Sequence, residues 1–373
     1  MSKLKEKSVL ISGASFAGLS TAFWMKKLGY KVTIVEIAKG IKKGGTPVNV
    51  MGKTIDALKG MGLLDQVRSN RLVMTSMEFK NTEDITRRLD IIHQDGMRVG
   101  EEEYEVERDL LLNMLYDLVK DDVEFMFDDS IVSMKEADHA VAVGFKQEKQ
   151  RSFSLIFGCD GIHSVVRKHW FGEESEYAHF LQTYFSITTV DKLLIPEYTT
   201  QIYNEPGKMA MLNAYNNKTD VVLCFYAEDK INYDYRNEAQ MRDIVAKAFT
   251  GTGWRTAELL NELMNAKTFY FDQLCQMKMP SWTKGRVALV GDSGYCPSPA
   301  AGRGGSLAID GAAALADAFE KCNGDFELAF LEYNKSFRPF VEELQDYVVK
   351  YGLDMLIPKT EEAITKRNIE GWH

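Results

Sequence analysis

The 373-residue sequence holds no run near the ~18 consecutive apolar residues of a membrane-spanning helix, so no membrane partner is expected. Cysteine is sparse and odd in number: Cys159, Cys224, Cys275, Cys296 and Cys322 are far apart and make no CxxC or Cys/His spacing. That excludes a disulfide framework and a zinc or other metal site, and points to a reducing, cytoplasmic compartment. Positive charge is also in deficit, with 45 Lys and Arg against 54 Asp and Glu, a net charge of −9, and the basic residues scattered. Nucleic acid and anionic surfaces are therefore poor candidates as partners. No repeat or low-complexity tract is visible. The lysines at the start precede an apolar stretch (residues 9–11) too short for the core of a secretion signal. What remains, 45% apolar and 27% charged, suits a globular chain with a large core. It is long enough for two domains, or for one α/β domain with an inserted lobe.

Residues 7–36 read as strand, glycine turn, helix, a stop at Gly29, and a second strand, the length of a βαβ nucleotide-binding half. Residues 54–67 are a second helical stretch interrupted by Gly60 and Gly62, and residues 107–120 a third, with Leu111, Leu115, Leu118 and Val119 on one face. The period then changes to two: VEFMF, SIVSMKE, HAVAVGF and SFSLIFGCDG read as short strands. Residues 174–278 stay strand-rich and aromatic, with one helical patch at 238–250. GRVALVGDSG is again a buried strand entering a turn, followed by helix over 306–320 and more helix to about residue 353. Nucleotide-domain pieces thus lie at the start, middle and end around a β-rich insertion. The expected division is 1–73, 100–173 and 279–320 for a discontinuous cofactor domain, 74–99 and 174–278 for a substrate domain, and 321–373 for a C-terminal helical segment.

Three constellations carry chemistry. Gly13-Ala14-Ser15-Phe16-Ala17-Gly18 has the outline of G-x-G-x-x-G with serine at the middle position. In such a turn the glycines permit the tight bend, the approach to a diphosphate and close helix packing, and the helix N-terminus supplies free N–H groups. Glu36, at the end of the second strand, stands where an acid would bond ribose hydroxyls. Alone, this pattern is weak and equally an ordinary strand-to-helix turn. The second constellation is FGCDGIHSVVR, where a strand delivers Asp160-Gly161 and Ser164 suits a helix N-cap; alone it too reads as a capped turn. In the third, a buried strand presents Gly291-Asp292, and a loop stiffened by Pro297 and Pro299 reaches Gly302, Gly304 and Gly305 just ahead of a helix.

In this order the three resemble the p-hydroxybenzoate-hydroxylase-like, class A FAD-dependent monooxygenases, and most closely in type the tetracycline-inactivating flavin monooxygenases. The likeness spans nearly the whole chain. It implies an α/β fold: a Rossmann-like FAD-binding domain with an inserted β-sheet-rich substrate domain and a long C-terminal helix. It further implies non-covalent FAD held by Gly13, Ser15, Phe16, Ala17, Gly18, Glu36, Asn49, Arg108, Asp160, Gly291, Asp292, Pro299, Gly302, Gly304 and Gly305. Arg108 stands at the family's cofactor-reaching arginine; the competing reading is an ion pair with Glu105 or Glu107. Strands near 182–185, 209–214 and 222–226 would wall the substrate cavity opposite residues 297–299, with either face inward.

The sequence departs from the family at several points. Ser15 replaces the middle glycine, Tyr295 stands where relatives often have histidine, and Asn49 lies near the place of a family aspartate. Where relatives often carry an arginine for the nicotinamide cofactor, only Lys42 and Lys43 are found. No W-x-W-x-I-P stretch is present, which speaks against a flavin halogenase. The implied reaction uses NADPH or NADH and O₂, and inserts one oxygen atom into a small aromatic or polycyclic substrate, an antibiotic among the candidates, through a C4a-hydroperoxyflavin. The flavin carries the chemistry, so no catalytic side chain is assigned, and a monomer is expected. The alternatives are a same-fold FAD oxidoreductase without hydroxylation and a non-catalytic flavin- or ligand-sequestering protein.

Overall fold

The structure, a computed structural model, describes residues 7–84, 86–90, 103–137, 139–147 and 149–370; the division expected at 99/100 lies outside them. The first apolar run forms the strand Ser8–Ser12 at the heart of a six-stranded sheet, parallel to Lys31–Glu36 on one side and Leu155–Gly158 on the other. Glu124–Phe127 and Val287–Leu289 extend it in parallel, and the short strand Thr283–Lys284 closes one edge antiparallel. Val9, Leu10, Ile11, Ile34, Ile156, Phe157 and Leu289 are fully buried. That is why these strands read as continuous apolar runs rather than alternating ones. The helices Phe16–Lys27 and Gly304–Lys321 pack against each other beside this sheet.

A second, seven-stranded sheet runs in the order Tyr270–Met277, Ala178–Val190, Lys218–Tyr226, Lys208–Tyr215, Thr199–Glu205, Ser76–Lys80, Thr86–Asp90. It is antiparallel except where Thr199–Glu205 meets Ser76–Lys80. The period of two sorts its residues between faces. Tyr184, Leu212, Val221, Leu223 and Phe225 pack under helices Glu238–Phe249 and Thr256–Asn265. Phe185, Met209, Val222, Cys224 and Leu274 pack instead with Ile357, Leu353, Leu356 and Ala300. The long helix Phe326–Tyr347 buries Phe330, Tyr333, Phe337 and Val341 along one stripe and runs into a π-turn, Val348–Gly352. Among the described residues no helix is long and apolar enough to cross a membrane.

The structure corrects several expectations. The β-rich block holds two helices rather than one, because Leu259 and Leu263 in TAELLNELMN form a buried i, i+4 pair. SFSLIFGCDG is two strands that break at Ser154 and change partner: Arg151–Phe153 pairs antiparallel with Ala140–Phe145, while Leu155–Gly158 joins the central sheet. Residues 54–67 divide into Lys53–Gly60 and Leu64–Ser69, with Gly62 at φ +77° between them. The glycine-rich loop ends earlier than expected, so Gly304 and Gly305 form the first turn of the next helix.

Candidate functional site

The glycine turn is built on contacts that exclude larger residues. A Cβ at Gly13, where φ is +100°, would lie 2.4 Å from the carbonyl oxygen of Cys159, and one at Gly18 would lie 1.9 Å from that of Gly13. Ser15 faces no such restriction: its φ of −106° and ψ of −162° are ordinary extended backbone. It is the N-cap of Phe16–Lys27, yet its side chain makes no cap bond, and the first turn of that helix holds no acid. The N–H groups of such a turn lack intrahelical partners and favour an anion. Glu36 reaches back to the same turn, accepting from Ala14 N at 2.8 Å and from Ala38 N at 2.9 Å. A carboxylate so engaged keeps lone pairs for further donors.

Arg108 opens the helix Arg108–Asp117 and crosses to the glycine turn rather than pairing with either glutamate. Its guanidinium lies over the Phe16 ring (5.2 Å) and donates to Ser15 Oγ (3.4 Å) and Lys42 O (3.3 Å), with Asp109 3.7 Å away. Burial lowers its pKa from the usual arginine value. Glu107 is taken by Lys218 and Asn216. Asn49 sits in Val48–Met51 with its carbonyl accepting from Ser306 Oγ, next to the glycine-rich helix start. Lys42 and Lys43 are exposed, and Lys43 borders a cleft of about 370 Å³ shared with Gly44, Asp109, Tyr215 and Lys218.

Asp160 turns its carboxylate on the chain itself. It accepts from Ser12 Oγ (3.1 Å), Val165 N (2.9 Å), Val166 N (3.2 Å) and Ser164 Oγ, tying the central strand to the helix Val165–Trp170. Burial raises its pKa. Ser164 caps that helix as expected, accepting from Arg167 N at 3.0 Å. Sequence reasoning missed Arg167 and His163. Buried Arg167 donates to Ser293 O at 2.9 Å and to Glu174 at 3.1 Å, and so locks the Asp160 turn to the Asp292 turn. His163 lies between Glu174 (2.9 Å) and Asp272 (3.2 Å), which hold it as an imidazolium with a pKa pushed up to about 10. The only signal for either was a charged residue inside an apolar stretch.

Gly291 adopts φ +75°, and a Cβ there would lie 3.1 Å from that of Ala17, so the first and third turns meet. Asp292 comes immediately after it, and burial pushes its pKa up to about 6. The loop then bends at Ser298 (φ +88°), runs through the single turn Pro299–Ala301, and reverses at Gly302 (φ +63°). Gly305 is packed tightly: a Cβ there would be 3.1 Å from Val48 and 3.3 Å from Phe16, whereas one at Gly304 would meet nothing within 4 Å. Tyr295 points away from this surface into the core, its hydroxyl 2.8 Å from that of Tyr333. The structure therefore brings Ser15, Phe16, Ala17, Arg108, Gly291 and Gly305 to one place, with Glu36 and Asn49 at its margins. The Lys42 carbonyl meets Arg108 there, while the Lys42 and Lys43 residues are exposed at the surface.

The fit to a dinucleotide is good: an acid-free helix start, two glycines that no other residue can replace, and a partly exposed arginine aimed at the same turn. A family model described as FAD binding domain matches residues 6–346. An uncharacterised protein of Mycobacterium tuberculosis is 35% identical over 343 residues, covering 91% of this chain and 92% of its own. A flavin-dependent monooxygenase of Legionella longbeachae is 32% identical over 360 residues, covering 95% of this chain and 90% of its own. Among solved structures, the tetracycline destructase Tet(51) superposes with a TM-score of 0.86 at 29% identity, over 98% of this chain and 95% of that one.

Proposed function

Because this chain belongs to the FAD binding domain family and is an FAD-dependent monooxygenase, we propose that it uses NADPH or NADH and O₂ to insert one oxygen atom into a small aromatic or polycyclic compound. The observation that carries this reading is the meeting of three turns, separated by more than a hundred residues each, with Gly13 against Cys159 and Asp160 and Ala17 against Gly291. Bound FAD supplies the redox chemistry and the activation of oxygen. The chain's own residues hold and shape. Gly13, Ser15, Phe16, Ala17 and Gly18 would receive the FAD diphosphate at the helix N-terminus, Glu36 would hold the adenosine ribose, and Arg108 would supply positive charge to the same anion. Asp292 would accept from the ribityl chain beside Gly291, and Asn49, Pro299, Gly302, Gly304 and Gly305 would hold the flavin ring. Asp160 acts by fixing the turns. Lys42 and Lys43 receive the nicotinamide cofactor at the surface.

The substrate lies beside the Pro299–Ala301 turn, over the half-buried Ile187 and Met211 of the sheet face whose Phe185, Met209 and Val222 the chain itself covers. Strand register sets Ile187, Val222, Met211 and Ile202 in one apolar row across that face. Such a row suits a flat hydrocarbon framework, and water exclusion there protects the oxygen-transfer step. The likeness to a tetracycline destructase makes tetracycline the first compound to try. The protein acts as a monomer in a reducing, cytoplasmic setting. The test is direct: purified protein carrying FAD should oxidise NADPH or NADH faster with tetracycline or a polycyclic phenol, and put one atom from ¹⁸O₂ into it. Oxidation of the compound without ¹⁸O, or FAD binding with no NAD(P)H oxidation for any compound tried, would overturn the proposal.

A further inference from the structure

We propose that Ser15 sets the FAD affinity of this chain through Arg108, as a positioning residue that holds the guanidinium poised to close on the cofactor's diphosphate. The inference rests on the reading that this turn receives FAD. An N-cap serine ordinarily accepts from a backbone N–H two or three residues on. Ser15 does not: its hydroxyl instead accepts from Arg108 Nη2, 93 residues away.

The arginine has a prepared seat. Gly45, at φ +109°, passes so close that a Cβ there would be 2.8 Å from Arg108 Cδ, and the Phe16 ring supports the guanidinium from below. Yet the polar contacts are long, 3.3 Å to Lys42 O and 3.4 Å to Ser15 Oγ, and the Asp109 carboxylate is 3.7 Å off. A guanidinium has five N–H donors, and two acceptors leave most of them available for an anion. A serine hydroxyl can accept from the arginine and donate to a phosphate oxygen at once, which a glycine at this position cannot do. The phosphate bond to arginine is charge-assisted and gains most from a side chain already in place. The serine thus supplies, by a side chain, part of what the middle glycine of the pattern supplies by close backbone approach.

The test is a double-mutant cycle on the full-length protein, stripped of flavin and titrated with FAD by flavin fluorescence. Ser15→Ala should weaken binding about fivefold and Arg108→Gln more than tenfold, the range of one and of several hydrogen bonds. The double variant should lose less than the product of the two single losses, since both changes remove one coupled contact. Ser15→Thr, which keeps the hydroxyl, should restore the parental affinity. Ser15→Ala without flavin should melt within about 2 °C of the parent, which a merely structural role would not allow. Losses that multiply in the double variant, or a Ser15→Ala protein that binds FAD like the parent, would overturn the coupling while leaving the flavin reading intact. A parent that takes up no FAD would overturn both.

Discussion

Tyr295 and Tyr333 share a hydrogen bond of 2.8 Å between their hydroxyls, deep in a cluster with Trp282 and Phe337. The residue standing where relatives often have histidine is therefore core rather than active-site surface. That packing leaves no room at Gly311, where a Cβ would lie 1.8 Å from Tyr295 Oη. Gly311→Ala should lower stability by about 1–3 kcal/mol, the usual cost of overpacking. Adding Tyr295→Phe should recover part of the loss; thermal melts of the single and double variants measure both.

Substitutions of glycine and of serine in the first turn should act for different physical reasons. Gly18→Ala drives a Cβ to 1.9 Å from Gly13 O, so it should shift the helix off the strand and cost FAD binding at least about tenfold. Ser15→Gly, at a position with ordinary dihedrals, should not tighten FAD binding. A large gain in affinity for Ser15→Gly would make the serine a handicap.

Asp292 offers a pH test. Its pKa is pushed up to about 6 by burial, and the ionised form is the better acceptor for a ribityl hydroxyl. FAD affinity should therefore rise between pH 5 and pH 7. Asp292→Ala should weaken it about tenfold or more, and Asp292→Asn should flatten the pH dependence, as read by titration at several pH values. Undiminished binding by Asp292→Ala would displace the ribityl contact from this residue.

Asp310 is buried on the helix Gly304–Lys321 with the Thr54 hydroxyl near it, and among the described residues neither carboxylate oxygen makes a well-formed hydrogen bond. Burial pushes its pKa up to about 7, above the unfolded value, so the folded chain binds the proton more tightly than the unfolded one. Stability from this group is greatest at low pH and falls as pH rises from about 4 to 7, by up to roughly 4 kcal/mol at 1.36 kcal/mol per unit. Asp310→Asn should match the parent near pH 4 and melt higher than it at pH 8. Equal melting temperatures at both values would show that Asp310 is ionised without cost.

The central strands were legible because a strand covered on both faces leaves an apolar run, and the three turns because glycine, proline and a helix start punctuate them. The helix at Thr256–Asn265 was passed over, although its i, i+4 leucines were visible, because aromatic strands surround it. The inward face of the seven-stranded sheet was not legible. Alternation separates Leu212 and Val221 from Met209 and Val222 but does not say which set the helices cover.

By itself the sequence determined the local shapes: which runs extend, where φ must turn positive, and which helix starts lie bare for an anion. Those are matters of sterics and periodicity within a few residues. Tertiary structure alone decided the partnerships: Arg108 with Ser15 rather than with a neighbouring glutamate, Asp160 engaged in helix capping, His163 clasped by Glu174 and Asp272, and Tyr295 turned inward. Each of these joins residues far apart in the chain or depends on what packs above it. The geometry of such a contact belongs to the packed whole, and no local pattern encodes it.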